Sequence, residues 1–263
     1  MQRAPKRVNQ TLATKVSALE FGLAAICAKA IREVFHNVYE EYDGYMVRRL
    51  TATIAACIRT SDNDAGARDL HDGDLSLLKG FTFNTAAPFE RLVAVSPTLE
   101  VVHNGTIHFQ MPLFIPKEDV VYPSNLLRPN GCFGIYIVAF SFRDGRVHII
   151  DYAGFDVAYD ESNPREINWT CSKRLPKGYI VLVIFGLRYF SLNWLKQRVQ
   201  TTDKDFYPTI VLDAFHVTDE MATLGIEDNL EEPSEKNLSG LETIEADSLK
   251  REIAKLKKKA AKK

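Results

Sequence analysis

The chain has 263 residues, of which 46% are hydrophobic, 10% aromatic and 25% charged. These fractions are typical of a globular protein and exclude a wholly disordered chain, a collagen-like repeat and a polytopic membrane protein. Basic and acidic residues number 33 and 34, which gives a formal net charge of −1. The overall charge therefore gives no support to nucleic-acid binding.

The N-terminal segment, residues 1–60, has the periodicity of two helices. Apolar residues step by three or four along a first, long amphipathic helix, at Val16, Leu19, Leu23, Ile26, Ala30, Val34 and Val38. After a break at Asp43-Gly44, a second helix is marked by Met46, Leu50, Ile54 and Ile58. Nine basic and five acidic residues give this segment a net charge of +4. The charges are scattered and lack interleaved aromatic residues, which favours solvated helix faces over a nucleic-acid surface.

A polar linker, residues 61–80, follows the helices and is rich in aspartate. Its carboxylates are Asp62, Asp64, Asp69, Asp72 and Asp74. The spacing does not fit a calcium-binding EF-hand loop, because Gly66 comes one position too early. Aspartate is also common in turns and at helix N-termini, where it accepts backbone hydrogen bonds, and we expect that role here.

Residues 81–218 change to the alternation of β-strands. Candidate strands cover 81–84, 91–95, 99–103, 106–111, 133–142, 147–152, 166–170, 179–190 and 207–217. Asn104-Gly105 and Asp144-Gly145 separate two pairs of them, and these dipeptides favour type I′ hairpin turns. No helix-length pattern lies between the strands, so the sequence predicts an antiparallel, Ig-like β-sandwich rather than a parallel sheet. The fold class is thus α+β.

The tail, residues 219–263, separates its charges. Residues 219–247 have a net charge of −9, and residues 248–263 have a net charge of +7. A narrow apolar stripe makes a short helix from about Leu241 plausible, with Leu249, Ile253 and Leu256 on it. Two interpretations stay open: a solvated, partly disordered tail, or a helix that docks on a second copy or a protein partner.

Motifs for catalysis are missing from the sequence. It contains no G-x-S-x-G, Walker A, G-x-G-x-x-G, H-E-x-x-H or kinase signature. Cys27, Cys57, Cys132 and Cys171 form no C-x-x-C pair and have no histidine at metal-ligand spacing. His103 and His108 flank one hairpin, a placement that is more often structural than metal-binding. We therefore predict no catalytic, cofactor-binding or metal-ligating residues.

Several aromatic residues of the predicted β-sandwich could supply rings that stack on a sugar. They are Trp169, Trp194, Tyr136, Tyr152, Tyr189 and Tyr207. Aromatic residues in strands more often fill the core or pair across strands. A non-catalytic module that binds a glycan or a protein is therefore the second hypothesis, and an enzyme without a recognisable motif is the third.

Short motifs occur in a distinctive order along the chain. They are Glu20-Phe21, Arg32, Arg49-Leu50-Thr51, Gly66-Ala67-Arg68 and Leu78-Lys79-Gly80-Phe81-Thr82-Phe83-Asn84. In this order and spacing, residues 32–84 resemble an uncharacterised family of Bacteroidota proteins, a domain of unknown function, and the similarity continues weakly to about Val217. The resemblance implies N-terminal helices followed by an Ig-like β region. It supplies no catalytic residues and does not cover the tail.

Self-association is the first hypothesis for function. A long amphipathic helix offers more apolar surface than a short second helix needs, and sandwich edges can pair with neighbouring strands. The sequence therefore predicts a structural protein that builds a homo-oligomer or a filament, with copies of itself as partners and a possible protein partner at the tail. The predicted contact residues are Leu19, Leu23, Ile26, Val34, Val38, Leu249, Ile253 and Leu256. Lys15 and Glu20 interrupt the only apolar stretch resembling a signal peptide, so we predict a cytoplasmic protein without a transmembrane segment.

Overall fold

A computed structural model describes residues 11–39, 41–201, 203–223 and 234–237, together with Arg251, Ala254, Lys255 and Lys258. Helices occupy the N-terminal part of the described chain, and antiparallel sheets follow them. The predicted α+β class is confirmed at this level. The Ig-like arrangement stays a prediction, and most of the charge-segregated tail lies outside the described residues.

Two long helices form the N-terminal region. They are α1 (Leu12–Tyr39) and α2 (Met46–Arg59). Three single-turn helices occur later: α3 (Phe89–Leu92), α4 (Pro116–Asp119) and α5 (Asp219–Thr223). The break before α2 is organised by Asp43, whose carboxylate accepts the Tyr45 N–H at 2.8 Å and pairs with Arg49. A short polar side chain that bonds nearby backbone competes with helix continuation, which explains the predicted break.

The strands form two antiparallel sheets. Their bounds are β1 (Thr98–Val101), β2 (Ile107–Phe114), β3 (Asn130–Ser141), β4 (Arg146–Ala158), β5 (Arg165–Cys171), β6 (Ile180–Leu192), β7 (Arg198–Gln200), β8 (Thr209–His216) and β9 (Ser234–Asn237). The smaller sheet has the order β1-β2-β5. In the larger sheet, β3 pairs with β4 and β6, β9 lies outside β4, and β7 and β8 both pair with β6.

The larger sheet is the middle layer of the molecule. Val138 and Phe140 of β3 pack with α1 and α2, whereas Phe133, Ile135 and Ile137 pack with the smaller sheet. β6 alternates in the same way, and most of its residues are buried. A strand covered on both faces needs a nearly continuous apolar run, which is why residues 180–187 contain no charged side chain. The helices and the smaller sheet therefore enclose two separate cores.

Three local predictions are wrong. Residues 81–84 do not form a strand and make only an isolated bridge, between Thr82 and Ile210. Residues 91–95 do not form a strand, because the chain turns through α3 after Pro88 and only Val93 makes a bridge, to Val120. The two hairpins do not have type I′ turns, which need a positive φ at both central residues. Within the described chain, Gly105 and Gly145 have positive φ, but Asn104 and Asp144 do not. Both loops are longer than two residues, and one positive-φ glycine is enough to close such a loop.

The segment 61–80 is packed against the sheets rather than extended as a linker. Leu70, Leu75 and Leu78 are buried in the core on the helix side of the larger sheet. The carboxylates of Asp69 and Asp74 each accept a backbone N–H at the start of a short 3₁₀ turn, as predicted for capping aspartates. Asp69 and Asp74 therefore stabilise turns in this segment.

An ion-paired cluster attaches this segment to the β3–β4 hairpin. Arg143 donates to both carboxylate oxygens of Asp69 at 2.8 and 2.9 Å and to Asp72 at 2.7 Å. His71 Nε2 accepts the backbone N–H of Phe142 at 3.0 Å, so this nitrogen carries no proton. Burial is the largest cause that lowers the pKa of His71 to about 4, although the Asp69 carboxylate opposes it. His71 is therefore neutral in the folded protein down to acidic pH.

The neutral state of His71 predicts a loss of stability in acid. An unfolded histidine takes up a proton near pH 6.5, whereas folded His71 does so only near pH 4. The unfolded state therefore binds more protons between these values, and the free energy of unfolding falls as the pH falls, by up to about 3 kcal/mol. Urea unfolding of the wild type at several pH values measures this loss.

His71→Gln provides the comparison, because its side chain keeps an acceptor for the Phe142 N–H but does not titrate. We expect its stability to fall less than that of the wild type over the same pH range. The exposed His103 supplies a matched control, and His103→Gln should retain the wild-type slope. If the free energy of unfolding of His71→Gln fell with pH as steeply as that of the wild type, the low pKa assigned to His71 would be contradicted.

Candidate functional site

Three glycines lie side by side across the larger sheet. Gly134 of β3 is directly opposite Gly154 of β4 on one side and Gly186 of β6 on the other. Such a row leaves a strip of sheet without side chains. Cys132 and Tyr136 are two residues from Gly134 and therefore flank the row on the same face. This is the face that α1 and α2 cover elsewhere, since Tyr136 packs against the helix-side core.

Two of these glycines leave little room for a Cβ. A Cβ on Gly134 would lie 2.8 Å from Cε2 and 2.9 Å from Oη of Tyr136, so the Tyr136 ring covers this position. A Cβ on Gly186 would lie 3.0 Å from Thr209 Oγ1 and 3.1 Å from a backbone oxygen. Gly154 is different, because its nearest neighbour would be Cys132 Sγ at 3.4 Å, an ordinary contact.

The difference between these positions predicts unequal effects of alanine. Gly134→Ala must displace the Tyr136 ring, and we expect the free energy of unfolding to fall by about 1–3 kcal/mol, the range for overpacking. Gly154→Ala, in the same row, should change it by less than about 0.5 kcal/mol. Urea unfolding of both variants makes the comparison, and equal values would show that Tyr136 is not held over Gly134.

A cleft of about 230 Å³ opens above the glycine row. It lies where α1 ends, so that Val38 forms one wall and the sheet forms the floor. The remaining lining residues come from four strands of the larger sheet: Cys132, Gly134, Tyr136, Tyr152, Ala153, Gly154, Gly186, Arg188, Phe190, Arg198 and Gln200. The cleft is smaller than most drug-sized pockets, which measure roughly 300–1,000 Å³. Its size suits a small molecule such as a single sugar ring or a benzoate ion.

Two arginines give the cleft its charge. Arg188 donates to Tyr136 Oη at 3.2 Å and to the backbone oxygen of Asn37, near the C-terminal end of α1. A cation at this end of a helix is favoured by the helix dipole. Arg198 pairs with Asp156 and lies over the ring of Phe190, with 4.3 Å between the guanidinium carbon and the ring centroid. Two guanidinium groups thus line the cleft, and Asp156 pairs with that of Arg198.

Cys132 also lines the cleft but is not a reactive thiolate. Burial is the main cause that raises the pKa of its thiol, and the neighbouring Asp156 carboxylate adds to the effect. The nucleophilic form of cysteine is the thiolate, which a raised pKa disfavours near neutral pH.

The six aromatic residues suggested by the sequence lie in different environments. Tyr136 and Tyr152 line the cleft, and Tyr152 is 70% exposed at its mouth. Tyr189 and Tyr207 are buried, and Trp169 packs against the core between the sheets. Trp194 is 88% exposed at the turn between β6 and β7. The structure therefore brings together only two of the six rings.

Three of the five predicted self-association residues of α1 pack into the chain's own core. Leu23 and Val38 are buried, Val34 packs against the same core, and Leu19 and Ile26 are partly buried. Acidic substitutions at Leu23 would therefore disturb folding before they reported on association. Leu249, Ile253 and Leu256 lie outside the described residues, as does the helix expected from Leu241. The self-association role of both sets stays a prediction.

In the part of the chain that the structure describes, no three His, Cys, Asp or Glu side chains are grouped as metal ligands. His108 instead bonds Thr170 across the β2–β5 pair, with 3.0 Å between Nδ1 and Oγ1. No helix among the described residues is long and apolar enough to span a bilayer.

Comparisons with known proteins leave the family open. No protein-family profile, curated protein or solved structure matches the chain significantly. The resemblance to a Bacteroidota family therefore stays a prediction. Apart from Tyr136 and Tyr152, the cleft residues were not found from sequence. Cross-strand register brings together Gly134, Gly154 and Gly186, which are up to 52 residues apart and form no local motif.

Proposed function

We propose that the protein is a non-catalytic binding module whose cleft takes a small organic anion. The observation that carries this proposal is the pair of guanidinium groups, Arg188 and Arg198, that line one cleft. Arginine suits carboxylate recognition because its planar group donates two parallel hydrogen bonds.

The non-polar lining specifies the rest of the ligand. Gly154 leaves part of the floor without a side chain, and Tyr136 and Tyr152 supply aromatic rings. Such surfaces stack on a flat ring or on the apolar face of a sugar. A small carboxylate attached to a ring, such as an acidic sugar or an aromatic acid, therefore fits the lining. The hypothesis of a glycan ligand is therefore kept for sugars that carry a carboxylate.

Matched pairs of ligands test the proposal. Isothermal titration of the full chain with glucuronate and benzoate should give saturable binding, whereas glucose and benzamide should bind at least about tenfold more weakly, since they lack the charge. Equal binding of charged and neutral partners would contradict the role of the arginines. The absence of binding by either acid would reject this ligand class.

A further inference from the structure

One ion pair spans four strands of the larger sheet beside the cleft. Arg198 of β7 donates to the carboxylate of Asp156 in β4, although β6 and β3 lie between these two strands. Arg198 lines the cleft, whereas Asp156 is not among the lining residues. The carboxylate therefore holds the guanidinium group from outside the space in which a ligand would bind.

Strand register places Asp156 in the row next to the glycines. Cys132 of β3 is opposite Asp156 on one side and Arg188 of β6 on the other. Residues two apart along a strand share a face, so this row lies on the same face as Gly134. Two strand spacings, roughly 10 Å, separate the backbones of Asp156 and Arg188. Asp156 therefore lies close to the place where the proposed ligand carboxylate would meet the two arginines.

The ion pair can open without disturbing the sheet. Both side chains are 54% exposed, and water screens an ion pair at such exposure, so that it adds little to the stability of the fold. The backbone of Asp156 is fixed separately, because Arg165 donates to its carbonyl oxygen at 2.6 Å. Arg165 itself pairs with Glu161 at 3.5 Å. Loss of the Arg198–Asp156 contact therefore leaves β4 in place.

The guanidinium group of Arg198 has a second anchor that does not depend on Asp156. Its carbon lies 4.3 Å from the ring centroid of Phe190 on β6. A cation over an aromatic face is attracted by the ring, and this stacking leaves the N–H groups at the edge of the planar group available to a carboxylate. Arg198 can therefore stay beside the cleft when one carboxylate partner is exchanged for another.

We propose that Asp156 is a built-in competitor that limits how tightly the cleft binds anions, because a ligand carboxylate must replace the Asp156 carboxylate on Arg198. The inference rests on the proposed function, since it concerns the same cleft. Carboxylates accept the paired hydrogen bonds of a guanidinium group in the same geometry, so two of them compete for one edge of that group. Benzamide carries no charge and competes poorly with a carboxylate for Arg198.

Asp156→Asn tests the competition, because it removes the charge and keeps the shape of the side chain. In isothermal titration of the full chain, this variant should bind benzoate and glucuronate about three- to fivefold more tightly than the wild type, since the exposed ion pair no longer has to open. Its affinity for benzamide should stay within about 1.5-fold of the wild-type value. A change in the shape of the cleft would instead alter the binding of the acids and the amide alike.

Asp219→Asn is the matched control. Asp219 also forms an exposed ion pair, with Lys177 at 2.9 Å, but neither residue lines the cleft. This variant changes the total charge of the chain by the same amount and should bind both acids like the wild type.

A double variant shows whether the gain in affinity depends on Arg198. In a chain that carries Arg198→Met, adding Asp156→Asn should change acid binding by less than about 1.5-fold, because no guanidinium group is released. Unchanged or weaker acid binding by Asp156→Asn alone, an equal gain for benzamide, or a gain that persists without Arg198 would overturn the role of Asp156 while the cleft remains an acid-binding site. If neither the wild type nor Asp156→Asn binds either acid, the proposed function fails and this inference fails with it.

Discussion

Replacing Arg188 with methionine is expected to weaken the binding of benzoate and glucuronate at least about tenfold. Methionine keeps much of the length of the side chain but removes the positive charge that lines the cleft. A charge-assisted hydrogen bond contributes roughly 1.5–3 kcal/mol, which corresponds to a loss of about 10- to 150-fold in affinity. Isothermal titration of both proteins with each acid measures the change.

The matched control replaces an arginine that has a similar structural role but lies outside the cleft. Arg91 also donates to a backbone oxygen, that of Asp205 at 2.6 Å, but does not line the cleft. Arg91→Met should bind both acids like the wild type. Because Arg188 also holds the end of α1, circular dichroism must show that Arg188→Met is folded. A folded Arg188→Met with wild-type affinity would contradict the proposed site.

Gly73→Ala is expected to cause the largest loss of stability among single substitutions considered for this protein. A Cβ at this position would lie 2.2 Å from the backbone oxygen of Cys57 and 2.6 Å from its carbonyl carbon. Backbone atoms cannot rotate away, so α2 and the segment 61–80 must separate. We expect the free energy of unfolding to fall by about 3 kcal/mol or more.

Gly73 and its neighbour Asp74 also make hydrogen bonds that this separation would disturb. Its carbonyl oxygen bonds His216 Nε2 at 2.9 Å, and the next residue, Asp74, donates its N–H to Thr60 Oγ1 at 2.7 Å. Gly44→Ala is the control, because nothing lies within 4 Å of the added methyl group. Its stability should stay within about 0.5 kcal/mol of the wild type in urea unfolding. Similar losses in both variants would show that the close approach of Gly73 and Cys57 is absent in solution.

Periodicity predicted the positions of helices and strands whose faces are buried on one side or on both. The apolar steps from Leu23 to Val38 marked α1, and continuous apolar runs marked β3 and β6, because both faces of these strands are covered. The residues of the turns predicted the type of turn less well. Asn104-Gly105 located a hairpin but not its turn type, since loop length decides how many positive φ angles are needed.

The candidate site could not be predicted from local sequence. Tyr136, Gly154 and Arg188 come together only through the register of β4, β3 and β6, which depends on long-range pairing. The sequence also could not show that the partner of the amphipathic α1 is the chain's own sheet, because a stripe of apolar residues does not identify what covers it. Of the suggested rings, only Tyr136 and Tyr152 line the cleft.

The most direct test of the proposed cleft is a titration with benzoate followed by ¹⁵N–¹H nuclear magnetic resonance. Binding in the cleft predicts saturable shifts of the Nε–Hε signals of Arg188 and Arg198 and of the amide signals of Gly134, Gly154 and Gly186. Benzamide, which is uncharged, should leave the arginine signals nearly unchanged. Saturable shifts that map elsewhere, with the cleft signals unmoved, would contradict the assignment of this cleft as the binding site.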